Sequence, residues 1–277
     1  MKSIIVFGKK GLYMMFSLGS NYHALDTKLC ALRATLIKDY ESIIKKATTS
    51  LSEGSVAGVS PAERRGQGGR APIKKGDLLT NRESPREITL ECQKLCKYIY
   101  NQPVRDFVKK LVYGYANSDL THYLSLWKRI NKLDKPTQTS MRKIIGTEAD
   151  MLNIIYIYRL KRYYHVRGET AYGYLLPIGY KLTTNEINRM LSAKKEHFLS
   201  ELTNSFYNEI FQNMNFPEKN ITHVMLQLYK KESRNSSIVA LCSYLYEKHL
   251  EIRNIRAIYE GLNFKLPPNE ILQSLLY

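Results

Sequence analysis

Apolar residues recur along this sequence at spacings of three and four, and the pattern is broken mainly where Gly and Pro occur. This spacing places apolar side chains on one face of an α-helix, and the strict alternation of a half-buried strand is nearly absent. Proline lacks the amide hydrogen that a helix interior needs, so Pro136, Pro177, Pro217 and Pro267 punctuate the helices. We predict an all-α fold, with helices over residues 21–48, 87–116, 118–132, 137–164, 184–213, 217–231, 236–261 and 267–276.

The segment from Glu53 to Glu87 differs from the rest of the chain. It holds six of the fifteen glycines and has no apolar period. Such a composition cannot offset the entropy of ordering, so we predict a flexible, solvent-exposed linker. The predicted organisation is an N-terminal extension over 1–20, a helix within 21–52, the linker over 53–87 and helical lobes over 88–277.

The excess of basic residues indicates the kind of partner that the chain attracts. Lys and Arg outnumber Asp and Glu by 42 to 25, which gives a formal charge of +17. Such a charge attracts acidic proteins, nucleic acid or an anionic membrane surface. Because the excess is dispersed along predicted helices, solvated helix faces are the favoured interpretation, and an RNA- or DNA-binding protein stays open as the alternative.

The sequence carries none of the common signatures of catalysis. It has no phosphate-binding P-loop, no HExxH zinc motif, no GxSxG elbow and no dinucleotide-binding GxGxxG. The six histidines never stand three or four residues apart, and the four cysteines show no paired metal-ligand spacing. We therefore expect no catalytic residue, no cofactor and no metal, and we expect reduced thiols.

An apolar run from Leu12 to Leu18 follows Lys9 and Lys10 in the manner of a secretory signal. It is too short to span a bilayer and lacks an Ala-x-Ala cleavage site. We therefore expect a cytoplasmic chain.

Two neighbouring carboxylates, Glu148 and Asp150, raise the possibility of acid–base chemistry. On a helix, Glu148 falls in an apolar stripe with Ile144 and Met151, whereas Asp150 falls in the adjacent stripe with Asn153. The two carboxylates therefore diverge around the helix. We expect Glu148 to have a partner if it is buried, and Asp150 and Asn153 to bond loop amides or a facing helix.

An internal repeat supports a structural role for these polar residues. The pattern acid-x-x-Asn-Ile-x-x-Ile-Tyr occurs from Asp150 to Tyr158 and again from Glu251 to Tyr259, at an offset of 101. Such a repeat predicts similar helical lobes with equivalent helix junctions. We expect Asn153 and Asn254 to hold these junctions through bonds to backbone groups.

The repeated residues also carry a resemblance to a known family. The stretch GTEADMLNIIYIYRLKRYY (146–164), followed by YLLPIGYKLTTNEINRML (174–191), resembles the C-type subunits of bacterial and archaeal V/A-type rotary ATPases, whose eukaryotic equivalents are the d-type subunits. The resemblance extends to segments 21–37, 104–130 and 251–271, which occur in the same order along the chain as in family members. Residues 53–87 depart from it, because family members have further helices of the first lobe there.

The resemblance implies three similar helical lobes that form a funnel between the membrane rotor ring and the central shaft. It implies a non-catalytic rotor subunit at the cytoplasmic face of the membrane. Its partners would be shaft subunits of the D and F types and the proteolipid ring, with no nucleic acid. The residues for which we expect an architectural role are Glu148, Asp150, Asn153, Arg159, Glu251 and Asn254.

Overall fold

A computed structural model describes residues 5–8, 11–14, 22–56, 84–115, 120–164, 169–202, 205–211 and 217–276. Most of these residues are helical, so the all-α prediction is confirmed. The longer helices are α1 (His23–Arg33), α2 (Tyr40–Val56), α3 (Ser84–Cys96), α4 (Gln102–Gly114), α5 (Leu120–Ile130), α6 (Lys135–Arg159), α8 (Thr184–Ser192), α11 (Pro217–Glu232) and α12 (Ser237–Asn263). The shorter ones are α7 (Glu169–Tyr172), α9 (Phe198–Glu201), α10 (Asn208–Phe211) and α13 (Pro268–Ser274).

Two strands near the N-terminus were not predicted. Strand β1 (Ile5–Gly8) pairs antiparallel with β2 (Gly11–Met14), and Gly8 lies opposite Gly11 across a two-residue connection. Both strands are rich in apolar residues, and each ends at the connection with a glycine, Gly8 or Gly11, features that are compatible with a hairpin. The N-terminal extension over 1–20 thus contains a small hairpin.

The first predicted helix, over residues 21–48, is two helices. Helix α1 ends at Arg33 and α2 begins at Tyr40, where Asp39 accepts a hydrogen bond from the amide of Ser42. Helix α2 continues to Val56 and α3 begins at Ser84, so both ends of the predicted linker are helical. Residues 57–83, the rest of that linker, lie outside the described residues.

The predicted helix over 87–116 is also divided. It breaks between Cys96 and Gln102, where the Asn101 side chain accepts a hydrogen bond from the amide of Val104 and Pro103 opens α4. An asparagine cap followed by proline is a favourable helix start, and it outweighs the continuous apolar pattern. The predicted helix over 184–213 ends early, at Ser192, and short helical pieces follow it.

Helix α12 lies at the centre of the packing. It contacts α1, α3, α4, α6, α11 and α13. Most of the buried side chains form one hydrophobic core that runs from α1 to α12. A second, smaller core joins the end of α12 to α2 and α13 through Tyr40, Ile44, Ile258, Ile271 and Leu275. The same helix therefore links both cores.

Candidate functional site

The segment between α7 and α8 lies directly on α6. A Cβ atom added to Gly146 on α6 would lie 2.9 Å from the carbonyl oxygen of Gly179. One added to Gly179 would lie 2.2 Å from Oδ1 of Asp150. Real Cβ atoms do not approach so closely, so both positions require glycine.

Asp150 holds this segment in place. Its Oδ2 atom accepts hydrogen bonds from the amides of Tyr180 (3.0 Å), Lys181 (2.7 Å) and Leu182 (2.9 Å). The hydroxyl of Tyr207 donates a fourth bond of 2.7 Å to the same oxygen. Burial and the bond to Asp150 raise the pKa of Tyr207, so this hydroxyl stays a donor at neutral pH. The carboxylate thus satisfies amides that have no secondary-structure partner.

Asn153, one helical turn further along α6, forms a second attachment. Its Nδ2 donates to the carbonyl oxygen of Leu176 at 2.9 Å, and its Oδ1 accepts from the amide of the same residue at 2.8 Å. Asn153 is only 1% exposed and Leu176 is 6% exposed. The backbone amide and carbonyl oxygen of Leu176 therefore depend on the Asn153 side chain for these hydrogen bonds.

Asn254 makes the equivalent attachment on α12. Its amide pairs with the carbonyl oxygen and the amide of Leu276, both at 2.8 Å. The backbone bonds predicted for the two asparagines are therefore present. Each partner is the second residue of a Leu-Leu pair that follows a short helix, α7 in one case and α13 in the other. These leucine pairs, at 175–176 and 275–276, are a sequence signal that lies outside the predicted repeat.

The acidic residues of the repeat have different partners. Whereas Asp150 binds the loop after α7, Oε1 of Glu251 accepts a hydrogen bond of 2.9 Å from the amide of Ile37, between α1 and α2. Its other oxygen pairs with Lys248. Glu251 therefore joins the N-terminal helices to α12, a long-range contact that the repeat alone does not reveal.

A cleft of about 660 Å³ adjoins this second junction. Its lining includes Glu251 and Asn254, and its apolar side chains are Leu36, Ile37, Leu226, Leu250, Leu272 and Leu276. Charged residues of both signs surround them, among them Arg33, Lys38, Lys230, Asp39, Glu41 and Glu247. A mixed apolar and charged lining of this kind suits a protein segment better than a small charged ligand.

Comparison with known proteins assigns the chain to a family. The family model described as ATP synthase (C/AC39) subunit matches residues 87–274. The chain belongs to this family. The match contains both junction helices, α6 and α12, and begins at the end of the predicted linker, so it leaves α1 and α2 outside. No curated protein matches the chain.

In this C/AC39 protein, Glu148 lies apart from the junctions. Its carboxylate accepts a hydrogen bond from Tyr123 on α5, whereas Asp150 binds the loop after α7. Burial raises the pKa of Glu148 to about 7, and the bond from Tyr123 opposes part of that rise. Its charge acts on the nearby hydroxyls of Tyr115, Tyr156, Tyr229 and Tyr246. The expected partner of Glu148 is present, and the two carboxylates do not share a site.

Two further residues, Arg159 and His249, act on neighbouring aromatic side chains. Arg159 is exposed at the end of α6, where its charge acts on Tyr156. His249 stacks on Tyr115 with ring centres 4.7 Å apart, and burial lowers its pKa to about 4, with Arg253 adding to the effect. Among the described residues, no group of three or more His, Cys, Asp or Glu side chains is arranged to hold a metal ion.

None of the helices in the described part of the chain is long and apolar enough to cross a membrane.

Proposed function

We propose that this C/AC39 protein is a non-catalytic rotor part that couples the central shaft of a V/A-type ATPase to its membrane proteolipid ring. The observation that carries the proposal is the family match over residues 87–274. ATP hydrolysis in other subunits would supply the torque, and ion movement through the ring would use it. The chain would act at the cytoplasmic face of the membrane and would contain no catalytic residue of its own.

A part that transmits torque must resist bending and twisting. Helices α6 and α12 have 25 and 27 residues, which corresponds to lengths of about 37 and 40 Å. Asn153 fixes the segment after α7 to α6, Asn254 fixes the residues after α13 to α12, and α12 packs against α1, α3, α4, α6, α11 and α13. This stiffness supports a mechanical role, and we propose that similar lobes, each with one such junction, form the funnel expected of the family.

We further propose that the cleft beside Asn254 receives the end of a shaft subunit of the D or F type. Leu226 and Leu272 are apolar but remain partly exposed there, and the charged rim can pair with charges on a helix. Helix-in-groove contacts combine these two features. The proteolipid ring would contact another surface of the chain.

Co-purification tests this proposal. The full chain is co-expressed with tagged D- and F-type shaft subunits and, separately, with the proteolipid ring in detergent. We expect the chain to be retained by both at near-equal stoichiometry. Retention by neither, with the far-ultraviolet circular dichroism of a folded helical protein, would contradict the proposal.

A matched pair of variants locates the shaft contact. Leu226→Glu puts a charge into the cleft, whereas Leu90→Glu changes an exposed leucine of α3 that does not line it. We expect only Leu226→Glu to weaken retention by the shaft, with thermal stability and ring binding unchanged. Equal retention of both variants would remove the cleft from the proposal.

The same preparations test the nucleic-acid alternative. Binding to RNA or DNA that survives at physiological salt, together with no retention by the ATPase subunits, would favour a basic helical nucleic-acid-binding protein. We expect the weak, salt-sensitive binding of a dispersed positive charge instead.

A further inference from the structure

The end of helix α6 carries two exposed tyrosines. After Arg159 the helix widens into a π-helical turn, Leu160–Tyr164, a rare geometry that recurs at functional sites. Tyr163 and Tyr164 in this turn are 64% and 71% exposed. A tyrosine ring is largely apolar, so two neighbouring rings in solvent forgo the free energy that burial would supply. A partner that covers both rings would recover it.

Basic side chains lie beside these rings. Arg159 and Arg162 are exposed, and the guanidinium carbon of Arg162 lies 5.9 Å from the ring centres of both Tyr158 and Tyr163. Cations at the carboxyl end of a helix interact favourably with its dipole, which explains the two arginines but not the exposed tyrosines. We call Arg159, Arg162, Tyr163 and Tyr164 the tyrosine–arginine surface.

This surface is attached firmly to the rest of the fold. Lys161 donates hydrogen bonds of 2.7 and 2.5 Å to the carbonyl oxygens of Leu191 and Ala193, at the end of α8. Tyr158 packs against Phe198 of α9, with ring centres 5.6 Å apart. The π-helical turn is therefore held in place before any partner binds.

The charge at this end of α6 is mainly basic. Lys194 directly follows the residue whose carbonyl oxygen Lys161 binds, and its side chain is exposed. The acidic Glu196, two residues further along, is exposed as well. Among these residues the basic side chains, including the two arginines, outnumber the one acidic side chain. An anionic partner is therefore complementary in charge.

Exposed tyrosine combined with arginine is typical of contacts with a bilayer surface. Tyrosine rings lie at headgroup level, with the ring toward the acyl chains and the hydroxyl toward water, and basic residues are attracted to anionic lipids. Single-stranded nucleic acid requires a basic groove and open ring faces on which bases stack. The tyrosine–arginine surface is the end of a helix, and Arg162 already lies over the Tyr163 ring. These features favour lipid headgroups over RNA.

We propose that the tyrosine–arginine surface binds the anionic headgroups of a phospholipid bilayer. Arg159 and Arg162 pair with lipid phosphates, and the rings of Tyr163 and Tyr164 lie at headgroup level. No segment crosses the bilayer in this contact, so it is peripheral and reversible. The proposal does not rest on the rotor function, and vesicles free of ATPase subunits test it separately.

Co-sedimentation of the full chain with phosphatidylcholine vesicles, with and without phosphatidylserine, tests the proposal at physiological salt. We expect binding to the vesicles that contain phosphatidylserine. Arg162→Ala should lower the affinity about fivefold, because each basic residue near an anionic membrane contributes about this much. Replacing Tyr163 and Tyr164 together by Ser should also lower it. Lys97→Ala and Tyr100→Ser, at exposed positions between α3 and α4, are the matched controls and should bind like the unmodified chain.

Tryptophan fluorescence locates the contact. The one tryptophan of the chain, Trp127 on α5, lies beside Arg142, which is about 30 Å from Arg162 along α6 and its π-helical turn. Brominated lipids quench a tryptophan only when they are close to it. We expect phosphatidylserine vesicles with brominated acyl chains to quench part of the emission of Tyr164→Trp and to leave the emission of the unmodified chain unchanged.

Four results would overturn the proposal. The first is no binding of the folded chain to vesicles that contain phosphatidylserine. The second is equal binding of Arg162→Ala, the double tyrosine variant and the controls. The third is unquenched emission of vesicle-bound Tyr164→Trp. The fourth is binding of single-stranded RNA that these substitutions abolish while vesicle binding persists, which would assign the surface to nucleic acid.

Discussion

Replacing Asn153 by Leu tests whether the junction on α6 is structural. The change removes both hydrogen bonds to Leu176, whose amide and carbonyl oxygen are then buried without a partner. Each such group costs about 1 to 3 kcal/mol, and the larger apolar side chain returns about 1 kcal/mol. The two groups together therefore lower the expected free energy of unfolding by about 1 to 5 kcal/mol.

The equivalent change on α12 should have a smaller effect. Leu276 is partly exposed, so water can replace some of the bonds that Asn254→Leu removes. We expect a loss of about 1 to 2 kcal/mol there. Asn263→Leu, at an exposed position on the same helix, is the control and should change stability by less than about 0.5 kcal/mol.

Urea denaturation followed by far-ultraviolet circular dichroism measures all three variants. Binding to shaft and ring subunits should weaken only as far as the variants unfold. If Asn153→Leu unfolds at the same urea concentration as the unmodified chain but no longer assembles, the residue belongs to an interface and the structural assignment is wrong.

Two further predictions concern Glu148 and Gly179. Because the folded pKa of Glu148, about 7, exceeds the ordinary value of 4.5, its protonated form stabilises the fold, and this contribution is lost as pH rises from about 4.5 to 7, by at most about 3 kcal/mol. Glu148→Gln should therefore unfold at higher urea than the unmodified chain at pH 8. The lowered pKa of His249 has the opposite effect on stability between about pH 4 and 6.5, so the variant, which keeps only this effect, should gain stability as pH rises through that window. Parallel pH profiles of the two proteins would contradict this. Gly179→Ala should destabilise the fold by more than about 2 kcal/mol, because its Cβ atom would lie 2.2 Å from an Asp150 oxygen. Gly173→Ala is the control and should be tolerated, because the nearest atom there is 3.5 Å away. Equal urea midpoints for the two variants would refute the close approach at Gly179.

Local patterns were sufficient to predict the junction side chains. The apolar period placed α6 and α12, and the acid-x-x-Asn repeat identified Asn153 and Asn254 as residues that bond backbone groups. Pro136 and the cap residue Asp134 also define the start of α6, because both act within one helical turn.

Contacts between distant segments could not be predicted in this way. The partner of Glu251 is the amide of Ile37, 214 residues away, and no local pattern relates the two. The early end of α8 is another case, since Lys161 donates hydrogen bonds to the carbonyl oxygens of Leu191 and Ala193 at that end. These features depend on how helices pack, which propensity and periodicity do not specify.

A measurement of ATP-driven ion transport shows whether the chain couples the shaft to the ring. A V/A-type complex prepared without its own C/AC39 protein is reconstituted into sealed vesicles, with or without this chain, and the ion gradient is recorded after ATP is added. We predict that the chain restores the gradient and remains bound to the complex, while its isolated form hydrolyses no ATP. A gradient that stays absent, although the folded chain is supplied in excess over the complex, would contradict a role in coupling shaft to ring.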